Sequence, residues 1–192
     1  MNSEPYVRVP FFPDYEEVRT FLRIIEGYPR KLFSSMRNRI YEHRGTPQDA
    51  QDWTEPGSWI AALLTGEERK LAERLWVESK GIVNPRYLMG SWLLCTQEGC
   101  SLLQTDSHDR LQITDAGRDF MDNPLGETVK QIDYAEGLLH LLEMVSENGP
   151  GKRSDFIDHY GVFLAQYSDI RSLSVIKSNW YARMQNMVKR NG

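Results

Sequence analysis

The sequence predicts a mainly helical fold punctuated by short β-hairpins, and three observations carry that expectation. Apolar residues recur at three- and four-residue steps over most of the chain, as in Val18, Phe21, Leu22 and Ile25. Glycine, proline and asparagine stand where such stripes stop. Strand-like apolar pieces are confined to Leu102-Leu103 and Leu111-Gln112-Ile113, on either side of the polar turn Asp106-Ser107-His108-Asp109.

Taken in order, Tyr6 to Pro13 is apolar but holds Pro10 and Pro13, so it is expected to pack as an extended arm. Asp14 is placed to cap a helix through Val18 and Ile25, and Gly27 with Pro29 interrupts the pattern before Leu32, Phe33, Met36 and Ile40 resume it. The expectation is two helices or one kinked helix. Gly45 to Glu55 reads as a surface connection into Pro56-Gly57-Ser58-Trp59-Ile60.

Thr65-Gly66-Glu67-Glu68 opens a helix with Leu71, Leu75 and Trp76 on its apolar stripe, and Ser79-Lys80-Gly81 stops it. A second helix is expected from Asn84-Pro85-Arg86-Tyr87, because proline in the first turn lacks an amide proton that would have had no helical partner. The hairpin follows, and Thr114 caps a further helix through Phe120. Helix, helix, hairpin, helix is the order found around a wing. After Asn123-Pro124, the residues Val129, Ile132, Leu138, Leu139, Leu141, Leu142 and Val145 form a helical core stripe ending at Asn148-Gly149. Helices are also expected from Ser154 through Phe163 and from Ser172 to Lys189.

The predicted architecture is therefore two winged-helix-like modules, at 51–123 and 124–192, preceded by an N-terminal arm and helices (1–50) packing on the first. The second module reaches Gly192 before any wing.

Composition supports a packed core, with 40% hydrophobic and 11% aromatic residues in 192. No apolar run approaches the roughly 20 residues a bilayer span requires, and the N-terminus shows no export signal. A cytoplasmic protein without membrane contact is the expectation. Cys95 and Cys100 read as reduced structural thiols. His43, His108, His140 and His159 are scattered without ligand spacing, so no metal and no cofactor is expected in this chain.

The net charge of −4 argues against a nucleic-acid partner, but its distribution is uneven. Arg30, Lys31, Arg37, Arg39 and Arg44 face one acid, Glu42, while Arg171, Lys177, Arg183, Lys189 and Arg190 face none after Asp169. Runs of this kind also arise on solvated helix faces. The last helix gathers Lys177, Ser178, Arg183, Gln185 and Asn186 on its polar side, side chains suited to phosphates and base edges of double-stranded DNA. In the first module Arg86, Tyr87 and Ser91 are the candidates on the helix, with Leu88, Trp92 and Leu93 facing the core, and His108 and Arg110 those on the wing. Each has a structural reading beside the functional one, since Arg86 can pair inside the domain and Tyr87 can be core.

Several segments resemble the N-terminal regions of Mrr-type restriction endonucleases: Asp52-Trp53-Thr54-Glu55-Pro56-Gly57-Ser58-Trp59-Ile60, Leu64-Thr65-Gly66-Glu67-Glu68, Val83-Asn84-Pro85-Arg86-Tyr87, the run Ile113 to Phe120, and Trp180-Tyr181-Ala182-Arg183. The resemblance covers most of the chain from about Asp52 onward. It implies a DNA-targeting region whose magnesium-dependent nuclease domain, of a type II or type IV-like enzyme, lies outside these residues. Glu68-Arg69-Lys70 is a Glu-x-Lys triplet, and it falls in the first turn of a helix, where the dipole favours acids without any catalytic role. No catalytic site is expected here. Other readings remain open: a regulatory or dimerisation module acting through protein contacts, including a homodimer, or a transcription-regulator-like DNA binder.

Overall fold

In the computed structural model the chain divides into two compact units, one of Tyr15–Asp122 and one combining Met1–Asp14 with Asn123–Gly192. The structure describes residues 13–45, 49–96, 101–149, 151 and 161–167. They are mainly helical, with one two-stranded antiparallel hairpin among them.

In the first unit, α1 (Tyr15–Ile25) buries Tyr15, Val18, Phe21, Leu22 and Ile25, the one-sided stripe that its spacing dictates. Arg19 lies on the same face, 6% exposed. Its Nε donates to the Phe120 carbonyl at 3.1 Å and its Nη1 pairs with Glu16 at 2.6 Å, so the buried cation is satisfied. Gly27, at φ +81°, ends the helix, and α2 (Arg30–Glu42) starts after Pro29 and buries Phe33, Met36 and Ile40.

The connection leads to α3 (Pro56–Leu63), with proline in its first turn, and then to α4 (Gly66–Glu73). A π-helical turn, Arg74–Glu78, prolongs α4 and buries Leu75 and Trp76. Gly81, at φ +69°, closes it by donating its N–H to the Trp76 carbonyl at 2.8 Å. The Asn84-Pro85 start is realised as a 3-10 turn, Pro85–Tyr87, running into α5 (Leu88–Thr96).

The hairpin pairs β1 (Leu103–Thr105) with β2 (Leu111–Ile113), with Gln104 opposite Gln112. Its turn is held by Asp106, whose Oδ1 accepts from the N–H groups of His108 at 2.8 Å and Arg110 at 2.9 Å. Thr114 caps α6 (Asp115–Asp122) as expected, its Oγ1 accepting from the Gly117 N–H at 3.0 Å. Gly117 itself sits where a Cβ would lie 2.3 Å from the Leu102 carbonyl oxygen, so the helix rests directly on the hairpin backbone.

The outer edge of β2 is not open. The α1–α2 linker pairs with it: Gly27 donates to the Leu111 carbonyl at 2.8 Å, Leu111 to Tyr28 at 2.9 Å, and Arg30 to Asp109 at 2.7 Å, with Pro29 opposite Arg110. Proline fits there because it lacks the N–H that an interior strand would need.

In the second unit, α7 (Glu127–Ala135) and α8 (Leu138–Asn148) are separate helices. The continuous stripe expected from Val129 to Val145 is broken at Gly137, which adopts the left-handed conformation at φ +79°. The break resets the helical phase. Leu139, Leu142 and Val145 are consequently exposed, and the core is built from Val129, Ile132 and Met144 with Phe163 and Leu164 of a further helix, α9 (161–167). The expected extended arm before Phe12, the start of the Ser154 helix and the whole Ser172 to Lys189 helix lie outside the described residues. No helix among the described residues is long and apolar enough to cross a membrane.

Candidate functional site

Of the residues singled out for contact with DNA, Lys177, Ser178, Arg183 and Asn186 lie outside the described residues. Arg86 stands in the 3-10 turn and Tyr87 is half-buried beside it. Ser91 is fully buried, its Oγ enclosed without a hydrogen-bond partner, so it faces the interior of α5 and presents nothing to a groove. Trp92 is buried as anticipated, but Leu93, expected in the core, is exposed. Arg110 is exposed, yet its guanidinium donates to the Gly27 carbonyl at 2.8 Å and fastens the hairpin to the α1–α2 linker. Ser91 and Arg110 thus do not share an open recognition face.

In the basic segment after Arg30, Arg37, Arg39 and Arg44 each have a partner within the chain. The Arg37 guanidinium lies 5.4 Å from the centre of the Trp92 ring, and burial, with Arg30 nearby, lowers its affinity for a proton. Arg39 pairs with Glu68 at 3.3 Å, and Arg44 stacks on Tyr41 at 3.7 Å. The Glu68-Arg69-Lys70 triplet is helical, and its neighbours close i,i+3 and i,i+4 pairs, Lys70 with Glu67 and Arg69 with Glu73. Asp52 accepts hydrogen bonds from the Thr54 N–H and hydroxyl, which hold its carboxyl below the usual range. Trp53 packs edge-on against Trp59, and Trp59 against Trp76, each at 5.0 Å. The Asp52 to Trp59 stretch therefore builds a turn and an aromatic core. No cluster of three metal-ligating side chains occurs among the described residues.

The concave feature that the sequence did not disclose lies in the second unit. A cleft of about 780 Å³ opens between the end of α7, α8 and α9. Tyr134, Phe163 and Tyr167 are among its lining residues, the rings of the last two 5.1 Å apart. His140 stacks nearly parallel on Phe163, 17° between planes and 4.4 Å between centres. Polar groups converge from α8 and α9: Glu143, Glu147, Asn148 and Gln166, the last donating to the Tyr167 hydroxyl at 2.9 Å.

Gly137 makes the wall possible. A Cβ at this position would lie 2.2 Å from Phe163 Cε1, so only glycine allows the ring to seat against the α7–α8 corner, and only glycine takes the positive φ without strain. The sequence signal was Glu136-Gly137-Leu138, a glycine inside an apolar stripe. His140 was noted only as one of four scattered histidines.

No protein-family model matches the chain, and no solved structure matches it. Among curated proteins it is similar to galactose-6-phosphate isomerase subunit LacA 1 of Streptococcus pyogenes serotype M18 (strain MGAS8232), 36% identical over 87 residues, which is 45% of this chain and 60% of that protein. The same subunit of serotype M3 (strain SSI-1) is 36% identical over 84 residues, 44% of this chain and 57% of that protein. The match thus spans about 60% of the length of these relatives. This likeness overturns the expectation of a DNA-recognition region of a restriction endonuclease, because it falls on a subunit of a sugar-phosphate isomerase. Among the described candidates, Ser91 is core and Arg110 is a tie between two segments, while in α2 Arg37 lies against the Trp92 ring and Arg39 pairs with Glu68.

Proposed function

We propose that this chain is a sugar-handling subunit whose second unit holds a carbohydrate ligand in the α7–α8–α9 cleft. The observation that carries the reading is the set of groups lining the cleft: the aromatic side chains Tyr134 and Tyr167 with the carboxylates and amides of Glu143, Glu147, Asn148 and Gln166. A pyranose has an apolar face of C–H groups that stacks on aromatic rings, and a rim of hydroxyls that both donate and accept hydrogen bonds. Carboxylates and amides are the complementary partners. The cleft volume also lies in the range of about 300–1,000 Å³ usual for small-molecule sites. The partial likeness to galactose-6-phosphate isomerase subunits supports a sugar as the ligand class.

Part of the same proposal is that Tyr15–Asp122 acts as a winged-helix-like scaffold. The order of helices around the hairpin, with the Gly27–Arg30 linker along the β2 edge, supports it.

The test is calorimetric titration of the chain with D-galactose and D-glucose, alongside Tyr167→Ala. Saturable binding of a hexose that is lost in Tyr167→Ala, with the circular dichroism of the variant unchanged, is the expected result. Failure of every hexose to bind the intact chain overturns the reading.

A further inference from the structure

We infer that Asn148-Gly149 is a self-modifying site, at which the asparagine amide is lost through a succinimide and a carboxylate takes its place in the lining of the cleft; the inference does not rest on the carbohydrate reading. Asn148 is the last residue of α8, is exposed and lines the cleft. The glycine after it has no side chain to shield its nitrogen, and among the described residues nothing lies within 4 Å of where its Cβ would be. Its φ of +74° and ψ of −179° take the chain out of the helix at that point. Ring closure between the Gly149 nitrogen and the Asn148 side chain requires rotation about the Asn148 Cα–C bond. Inside a helix that rotation would break the hydrogen-bond ladder on both sides. At the last residue it disturbs only the helix end, where opening costs least. The one contact given up is the neutral hydrogen bond that Asn148 Nδ2 donates to the Met144 carbonyl at 2.8 Å, which has little net strength in water.

The step balances with water alone. The Gly149 N–H gives its proton to hydroxide, and the nitrogen attacks Asn148 Cγ. A bond forms between those two atoms, the Cγ–Nδ2 bond breaks, and Nδ2 leaves as ammonia after taking a proton from water, which restores the hydroxide. Water then opens the succinimide. Attack at Cγ yields an aspartyl residue, and attack at the main-chain carbonyl yields an isoaspartyl residue, whose backbone is longer by a methylene. Nothing is oxidised or reduced; one water is consumed and one ammonia released. Either product replaces an amide, which donates and accepts, by a carboxylate that only accepts. It also removes the donor to Met144 and sets a negative charge at the C-terminal end of α8, where the helix dipole disfavours it. The aged chain is therefore less stable in α8 and carries an altered cleft lining.

The experiment is incubation of the intact chain at mildly alkaline and mildly acidic pH, followed by peptide mapping with mass spectrometry and labelling by an isoaspartyl methyltransferase. A synthetic peptide of residues 143–152 serves as the unfolded reference. Conversion at Asn148 is expected within about tenfold of the peptide's rate, the factor that low-cost opening of a helix end allows. It should be faster in base and give both aspartyl and isoaspartyl products. Asn38 and Asn84, which are followed by arginine and proline, should keep their amides. Asn148→Gln should abolish the product with the circular dichroism unchanged, and Asn148→Asp should reproduce the lowered urea midpoint of the aged chain. Conversion slower than the expected range, or a product without isoaspartate, overturns the inference.

Discussion

Replacing Gly137 with alanine tests the corner on which the cleft depends. Two separate costs follow from its geometry. The residue holds φ +79°, and an L-residue in the left-handed region costs about 1–2 kcal/mol. The added methyl also falls 2.2 Å from Cε1 and 2.5 Å from Cζ of Phe163, an overlap that forces the ring or the helix to move, at about 1–3 kcal/mol for overpacking. The sum is about 2–5 kcal/mol, a large part of the stability of a small domain. Urea unfolding followed by far-ultraviolet circular dichroism gives the total, and hydrogen exchange at the α7 and α8 amides localises it. The two costs separate in a double-mutant cycle with Phe163→Leu, which removes the ring edge. In that background Gly137→Ala should cost only the conformational part. An equal loss in both backgrounds would refute the close approach of Phe163 as the reason for glycine.

Other outcomes follow from the first unit. Gly117→Ala places a methyl 2.3 Å from the Leu102 carbonyl oxygen and 2.7 Å from Ile113 Cγ2, so it should lower stability by about 1–3 kcal/mol in chemical denaturation. Thr114→Ala removes the Oγ1 acceptor of the Gly117 N–H and should cost about 1 kcal/mol, read as a lower urea midpoint with unchanged slope. The backbone N–H of Arg110, assisted by that of His108 and by the Gln112 side chain, holds the Asp106 carboxyl below the usual carboxylate value. A depressed value in the fold means that its contribution is complete above about pH 4 and is lost as the pH falls through the lowered value. Amide exchange in the hairpin should accordingly rise at acid pH, and Asp106→Asn should abolish that acid-dependent step.

Local chemistry made much of the first unit legible. Gly27 and Pro29 separate α1 from α2, Gly81 ends the α4 segment, and Thr114 caps α6 because each acts on its own backbone neighbourhood. Interactions that join distant residues left no such trace. The Gly27–Arg30 linker pairs with residues about eighty positions later, and nothing in its sequence names that partner. Ser91 was assigned to an outer face because α5, Leu-Met-Gly-Ser-Trp-Leu-Leu-Cys-Thr, is apolar on nearly every side. Its spacing cannot say which side the core takes, and Ser91 and Leu93 exchanged roles as a result. In the second unit a single left-handed glycine undid a stripe that looked continuous. The cleft stayed hidden with it, since its walls assemble only once Gly137 turns the chain and Phe163 comes to rest against it.

The linker that lies along β2 has a topological consequence for the first unit. The stretch from Tyr15 to Arg44 supplies two helices and an edge pairing to a body whose remaining parts come from Asp49 onward. A single proteolytic cut between Gly45 and Asp49 would sever the peptide and leave those non-covalent attachments in place, so the nicked protein should run as one species under native conditions. Separately expressed fragments on either side of that cut should reassemble on mixing.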